Sequence, residues 1–229
     1  MKESTILPSS ITFLQNLNTN NNRDWFTENK EFYIQAQNNM IAFVDQLIPL
    51  MNEHDAIENT SAKKSLFRIY NDVRFSKDKA PYKPRFTFSL QRSTSSKRGG
   101  YYMNIEPGNS YLACGFFSPN PADLKRIRKD IELNPDEWQT ILKSKSITEN
   151  FGKLTGCKVP TFPKGYPKDH EAIDLIRHKQ FILRHNFTDK EILQPGFVEK
   201  VNAVFQLVRP FFDYLSSVLT TDLNGEVLL

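Results

Sequence analysis

The chain is poor in cysteine, with only Cys114 and Cys157 among its 229 residues. Neither belongs to a closely spaced pair of the kind that binds zinc, and nothing in the sequence indicates the secretory context in which disulfides form. A disulfide framework and a paired-cysteine zinc site are therefore excluded. Both thiols are expected to be free and buried.

Long apolar runs are also missing, since none approaches the ~20 residues that a membrane-spanning helix requires. The opening stretch MKESTILPSS lacks the apolar core of a signal peptide. The sequence therefore predicts a cytoplasmic protein with no membrane partner. It also lacks a phosphate-binding Gly-rich loop and the nucleophile elbow of hydrolases. These absences exclude the large familiar enzyme classes, and no cofactor is expected.

Charge is unevenly distributed along a composition that is otherwise ordinary for a globular protein, with 39% hydrophobic and 24% charged residues. Residues 61–130 contain 15 Lys and Arg against 5 Asp and Glu, whereas residues 1–60 contain 3 against 8. The middle of the chain is therefore strongly basic. This favours an anionic partner, unless the acidic first segment packs beside it and neutralises it.

The N-terminal part of the chain has the periodicity of helices. A short amphipathic helix is expected from about Ser10, and a longer one from about Asp24, where apolar residues recur every three or four positions as far as Met51. Pro49 is expected to kink or end the longer helix.

Helices are predicted again in the C-terminal half. Asn134 is expected to start one with a capping box, Asp169 to cap another, and Thr188 with Glu191 to form a second capping box. The last helix is predicted to run unbroken over about residues 196–219, with a wide apolar face.

Strands are predicted between these helical regions. Residues 86–91 alternate apolar and polar side chains, and residues 101–107 and 110–117 are joined by Gly108 and Asn109, which suit a tight hairpin. Residues 66–70 and 181–187 are further strand candidates. We expect an α+β fold: a single domain over residues 1–229, with a mainly antiparallel sheet of about four or more strands packed against long N- and C-terminal helices.

The best candidate site is the central segment, Ser65 to Leu90, in which two strand-like stretches flank a charged loop. Its aromatic residues Tyr70, Phe75 and Tyr82 alternate with charged side chains. Arginine binds oxyanions through its planar fork, lysine adds point charges, and tyrosine donates a hydrogen bond. The predicted ligand-binding residues are Arg68, Asp72, Arg74, Lys77, Asp78, Lys79, Tyr82 and Lys83, with Lys164 from farther along the chain. The alternative is an ion-paired network in which the two aspartates bridge the basic side chains and pin the loop to the neighbouring helix.

Three stretches together resemble a bacterial and fungal family known only as a domain of unknown function, DUF 2461. They are FLQNLNTNNNRDWFTENKEFY, FRIYNDVRFSKDKAPYK and PKGYPKDHEAIDLIRHKQF. The resemblance spans nearly the whole chain, and it implies no activity because the family is defined by sequence alone. The chain departs from the family pattern at Asn71, where Arg is more frequent, and at Glu171, where Pro is usual. The matching residues are Asn21, Arg23, Trp25, Phe26, Asn29, Lys30, Arg68, Asp72, Arg74, Phe75, Asp78, Lys79, Pro81, Tyr82, Lys83, Lys164, Gly165, Tyr166, Asp169, His170 and Lys179.

Catalytic residues are not identified by any motif, and the weak candidates are His170 and Asp78. A histidine suits proton transfer near neutral pH, and Asp169 next to it could orient the ring. A metal site from these residues and Asp72 would need the fold to collect them, so no metal is expected.

Three functions remain open from the sequence alone. The first is a pocket for a ligand bearing phosphate or carboxylate, which as an enzyme would act by electrostatic stabilisation. The second is nucleic-acid binding across the basic middle third, including Arg92, Lys97, Arg98 and the helix face 125–129. The third is a non-catalytic interaction or scaffold domain. The oligomeric state is not predicted.

Overall fold

A computed structural model describes residues 5–74, 77, 79–93, 97–221 and 226–227. It confirms the α+β class: eleven helices and four strands lie in the described part of the chain. The chain divides into two compact units, the first comprising Met1–Leu90, Tyr102–Leu112 and Asn186–Ala203, the second Gln91–Tyr101, Ala113–His185 and Val204–Leu229. That the chain folds as a single domain stays a prediction. In chain order the elements are α1 Pro8–Thr19, α2 Arg23–Glu28, α3 Lys30–Asn52, α4 Ala62–Ser65, β1 Phe86–Gln91, β2 Gly100–Ile105, β3 Ser110–Phe116, α5 Pro121–Leu133, α6 Pro135–Leu142, α7 Lys145–Asn150, α8 Ile173–Ile176, β4 Phe181–Phe187, α9 Asp189–Ile192, α10 Phe197–Leu207 and α11 Arg209–Thr220.

The sheet has the order β1-β2-β3-β4 and is antiparallel, as expected for strands joined by short turns. The predicted hairpin at Gly108 is confirmed, because the Asn109 N–H donates to the Glu106 carbonyl at 2.9 Å and Gly108 has a φ of +73°. Gly115 in β3 has a φ of +149°, and a Cβ there would overlap the carbonyl oxygen of Phe181. Only glycine allows β3 and β4 to approach so closely.

In the first unit, the apolar face of the long helix α3 packs against strand β1. The ring of Phe43 lies 6.3 Å from Phe88 and 5.7 Å from Phe197, and Tyr33 stacks 6.4 Å from Phe86. Side chains at every third or fourth position of α3 are buried, which is the periodicity that predicted the helix. The predicted packing of the sheet against a long N-terminal helix is therefore confirmed.

In the second unit, the C-terminal helices α10 and α11 pack against strand β2. Tyr101 of β2 lies edge-on to Phe205 of α10 and Phe212 of α11, with ring centroids 4.8 and 5.1 Å apart. Trp138 of α6 is 1% exposed, and its indole N–H donates to Asp130 at 2.7 Å. A buried aromatic core thus forms in this unit as well.

Several predicted element boundaries are wrong. The helix expected from Asp24 to Met51 is two helices, because α2 ends at Glu28 and is capped by Asn29, whose side-chain amide donates to the Trp25 carbonyl. The last helix is also two, interrupted at Val208 two residues before Pro210. Proline has no N–H, so it sits without cost in the first turn of α11 and cannot continue α10.

The predicted helix starts have mixed outcomes. The capping box of Thr188 and Glu191 is confirmed. At Asn134 the predicted helix start is confirmed, because α6 begins directly after it at Pro135. The predicted capping box is absent, since the Asn134 amide donates to Asp130 at 2.8 Å and its side chain makes no capping hydrogen bond. Asp169 is also not a cap, since α8 begins after Ala172.

The two thiols are free, as predicted, but only Cys114 is buried, and Cys157 is exposed. Burial raises the pKa of the Cys114 thiol well above its ordinary value. Within the described ranges, no helix is both long and apolar enough to cross a bilayer.

Candidate functional site

The central segment folds back on itself as an irregular antiparallel pair. Leu66 and Tyr70 form isolated bridges with Phe88 and Tyr82, so residues 66–70 pair as predicted without forming a regular strand. The Lys83 N–H donates to the Ile69 carbonyl at 2.7 Å. These bonds bring the two ends of the charged loop together.

Two asparagines fix the closed end of the segment through the backbone of Tyr82. The Asn21 amide donates to the Tyr82 carbonyl at 2.9 Å, and its oxygen accepts the Tyr82 N–H at 3.1 Å. Asn71 donates to the same carbonyl at 3.2 Å and to the carbonyl of Ala80 at 2.9 Å. Asn21 therefore satisfies both backbone groups of Tyr82, as a neighbouring strand would.

An aromatic cluster holds the segment against the N-terminal helices. Phe26 of α2 stacks on Tyr82 with ring centroids 4.0 Å apart and an interplanar angle of 13°. The ring centroid of Tyr70 lies 5.9 Å from that of Phe26 and 5.5 Å from that of Tyr82, and Tyr70 remains 46% exposed. Phe13 of α1 packs on Phe26 and on Trp25. The buried rings of Phe13, Phe26 and Tyr82 therefore attach the segment to α1 and α2 by apolar contacts as well as hydrogen bonds.

Part of the predicted charge cluster is internally paired. The Arg74 guanidinium donates two hydrogen bonds to the carboxylate of Asp72, at 2.9 and 2.7 Å. These bonds lower the pKa of the Asp72 carboxyl, with a backbone bond from Arg74 and the charge of Arg68 in support. Lys79 donates to the carbonyl of Val73 at 3.0 Å. Arg74, Asp72 and Lys79 therefore also shape the loop, as the alternative of an ion-paired network expects.

The remaining predicted cations of the segment stay open to a ligand. Arg68 and Lys77 are exposed and Lys83 is half-buried, and none of the three has a carboxylate partner among the described residues. Arg68 shares the exposed face of the extended stretch with Tyr70, whereas Ile69 is 2% exposed and faces the core. Asp78 and Phe75 lie outside the described residues.

Lys164 and His170 belong to the second unit, whereas the other described residues of the predicted site belong to the first. His170 has a structural task there: one ring nitrogen, Nδ1, accepts the Ala172 N–H at 3.1 Å, and the other, Nε2, is 3.2 Å from the Glu132 carbonyl at the end of α5. A donor Nε2–H satisfies one of the carbonyls that a helix end leaves open. Catalysis by His170 stays a prediction. Lys164 is exposed beside α5, at the edge of a cleft.

Residues proposed for nucleic-acid contact are partly used inside the second unit. The Arg92 side chain is 1% exposed and donates to Asp213 at 2.9 Å and to Ser216 at 3.1 Å. Arg98 pairs with Asp123. Arg92 is therefore not available to a nucleic acid, because burying a cation requires the internal partners that it has found.

Sequence reasoning did not find the contact of Asn21 with Tyr82, because the two residues are 61 positions apart and no spacing rule links them. Across the described residues, no group of three or more His, Cys, Asp or Glu side chains is placed to hold a metal ion. The catalytic and ligand-binding assignments therefore rest on the residues just described.

Comparisons with known proteins give a family and nothing closer. No curated protein and no solved structure matches this chain. The model of a family of conserved hypothetical proteins matches residues 9–214, which include the whole central segment, the cleft beside Lys164 and most of both units. The chain therefore belongs to this family, DUF2461.

Proposed function

We propose that this protein binds a small ligand bearing a phosphate or carboxylate group at the central segment. One observation carries the proposal. Six basic residues lie between Arg68 and Arg85, and the single carboxylate described between them, that of Asp72, is already bound by Arg74. The segment therefore has an excess of positive charge on a backbone that other residues hold in place.

The pair of Asp72 and Arg74 supports the chemistry of this site. A guanidinium that donates two parallel bonds to a carboxylate is in the geometry that arginine uses to bind ligand carboxylates and phosphates. An incoming oxyanion can replace Asp72 on this fork. Arg68, whose charge acts on the same carboxylate, is near enough to contribute. The half-exposed ring of Tyr70 offers an apolar surface to the rest of the ligand.

Rigid support distinguishes this surface from an ordinary basic patch. Asn21, Asn71 and the stacked ring of Phe26 fix the backbone at Tyr82, so this part of the segment needs little further ordering when a ligand arrives. Preorganisation of this kind improves affinity because fewer side chains and backbone angles lose freedom on binding.

A thermal-shift screen with nucleotides, sugar phosphates and organic acids tests the proposal. A ligand present at 100 times its Kd stabilises the folded state by about 2.7 kcal/mol, which raises Tm measurably. The double variant Arg68→Gln/Lys83→Gln should lose this rise. Lys63→Gln, an exposed lysine of α4, is the matched control and should keep it.

Arg74→Ala separates a binding role from a structural one. The Arg74 side chain is 76% exposed, so its loss should leave Tm without ligand nearly unchanged and reduce the ligand-dependent rise. Unfolding of the variant would instead assign the cluster to the fold. Oligonucleotides titrated at two salt concentrations complete the test: salt-sensitive binding without any small-ligand effect would replace this proposal with nucleic-acid binding.

A further inference from the structure

A cleft in the second unit, separate from the central segment, has the composition of an anion site. It has a volume of about 560 Å³ and is bordered by α5 on one side and by the turn at residues 163–166 on the other. Its polar lining residues are Lys125, Arg128, Lys129, Glu132, Lys164 and Tyr166. The volume falls within the range of small-molecule sites.

The sequence of α5 explains why one wall of the cleft is basic. Lys125, Arg128, Lys129 and Glu132 occupy positions i, i+3, i+4 and i+7, which lie on one face of a helix. The opposite face carries the buried residues Ile127 and Ile131. Packing of that apolar face therefore presents the charged face to the cleft.

Arg128 is held in a fixed orientation at the cleft. Its Nε donates to the carbonyl of Ile176 at 2.9 Å, and its Nη2 donates to the carbonyl of His178 at 3.2 Å. Its Nη1 has no acceptor among the described residues. The guanidinium is half-buried, and desolvation lowers its pKa. A positive charge that is both clamped and partly desolvated gains more from an anion than a freely moving surface lysine does.

The charges of the cleft do not balance. Glu132 is the single carboxylate of its lining, and it is already paired with Lys129 at 2.9 Å. Lys125, Arg128 and Lys164 then have no carboxylate partner within the described part of the chain. They come from both walls, so an anion between the walls meets cations on two sides.

The turn that forms the second wall adds a hydroxyl. The Tyr166 N–H closes the turn on the Pro163 carbonyl at 3.4 Å, and Gly165 has a φ of +92°, which favours glycine. This turn places Tyr166 in the lining beside Lys164. Burial raises the pKa of the Tyr166 phenol. The hydroxyl therefore stays protonated and can donate a hydrogen bond to an oxyanion.

We propose that this cleft binds the phosphate group of a small molecule. Three unpaired cations and a phenol match a group with two negative charges and three terminal oxygens better than a carboxylate, which has one charge and two oxygens. The cleft shares no residue with the central segment, so this is a second site, and it stands whether or not the first one binds a ligand.

Titration with inorganic phosphate and pyrophosphate, followed by calorimetry and by the amide resonances of Gly165 and Tyr166, tests this inference. We expect pyrophosphate to bind and to shift both amides. The variant Lys125→Gln/Lys164→Gln should weaken binding at least about tenfold, which corresponds to about 1.4 kcal/mol. Lys145→Gln, an exposed lysine of α7 outside the cleft, is the control and should bind within about twofold of the unmodified chain. None of these lysine side chains donates a hydrogen bond to another described residue, so the variants should fold.

Three results would overturn the inference. They are no binding of phosphate or pyrophosphate, equal binding by the double lysine variant, and binding of a short oligonucleotide but of neither small anion. Repeating the titration with Arg68→Gln/Lys83→Gln identifies which proposal fails. Loss of all pyrophosphate binding in that variant would move the site to the central segment, whereas unchanged amide shifts at Gly165 would keep it in the cleft.

Discussion

Replacing Asn21 with alanine tests how the central segment is held. The Asn21 side chain accepts the N–H of Tyr82 and donates to its carbonyl, and both contacts are partly buried. Alanine removes both bonds at once. The carbonyl keeps a bond from Asn71, but the N–H is left with no replacement from that residue.

The size of the effect follows from these two bonds. Each hydrogen bond contributes about 0.5–1.5 kcal/mol net, so their loss should lower the free energy of unfolding by about 1–3 kcal/mol. The Tyr82 N–H, left without a partner, moves the expected value toward the upper half of this range. Asn71 keeps the carbonyl satisfied, so a larger loss is not expected.

Urea unfolding followed by circular dichroism at 222 nm measures the change. The slope of free energy against urea should stay the same while the midpoint falls. Asn16→Ala, at an exposed position of α1, is the matched control and should change stability by less than about 0.5 kcal/mol. If Asn21→Ala loses no more than this control, the two bonds do not anchor the segment and the reasoning is refuted.

Two further predictions concern the sheet and a helix start. Gly115→Ala should destabilise the chain by at least about 2 kcal/mol, because its Cβ would press on the Phe181 carbonyl; thermal unfolding with an unchanged Tm would contradict this. Hydrogen bonds from Lys200 and Thr188 lower the pKa of Glu191 from an ordinary 4.5 to about 2. The ionised carboxyl therefore adds stability above about pH 4.5 that is lost as pH falls toward 2. Urea unfolding at a series of pH values measures the free energy of unfolding of the unmodified chain and of Glu191→Gln. The difference between the two should shrink as pH falls through this window. A difference that stays constant would show that these bonds do not stabilise the fold.

Local patterns in the sequence predicted the elements whose causes are local. Alternation predicted β1, the short turn at Gly108 predicted the β2-β3 hairpin, and the capping box at Thr188 predicted the start of α9. Each depends on residues within a few positions of one another. Nearby side chains and backbone angles determine such features before tertiary packing begins.

The missing capping box at Asn134 and the wrong helix start at Asp169 both had local signals that other contacts overrode. Asn134 precedes α6 as expected, but its amide donates to Asp130, whose carboxylate also accepts bonds from Trp138 and Tyr214. Asp169 does not cap α8, because the ring of His170 accepts the Ala172 N–H and the helix begins only after Ala172. A side chain with several partners in reach is not assigned by its spacing alone.

The candidate site was predictable in composition and not in arrangement. The sequence identified a segment of alternating charges and rings, and the exposed Arg68 and Tyr70 share one face as an extended backbone requires. A count of charges could not tell that Arg92 is buried or that Asp72 is taken by Arg74. The burial of Arg92 depends on Asp213 and Ser216, which the fold brings to it from 121 and 124 positions away. Asp72 and Arg74 are only two positions apart, and their pairing depends on the local backbone conformation rather than on charge alone.

The two tryptophans of the chain provide an optical consequence of its division into units. Trp25 belongs to the first unit and Trp138 to the second, and the sequence contains no others. Intrinsic tryptophan fluorescence therefore contains one contribution from each unit. Variants that keep a single indole, Trp25→Phe and Trp138→Phe, report the unfolding of each unit separately. Coincident curves would establish one cooperative domain, and separate curves would establish two.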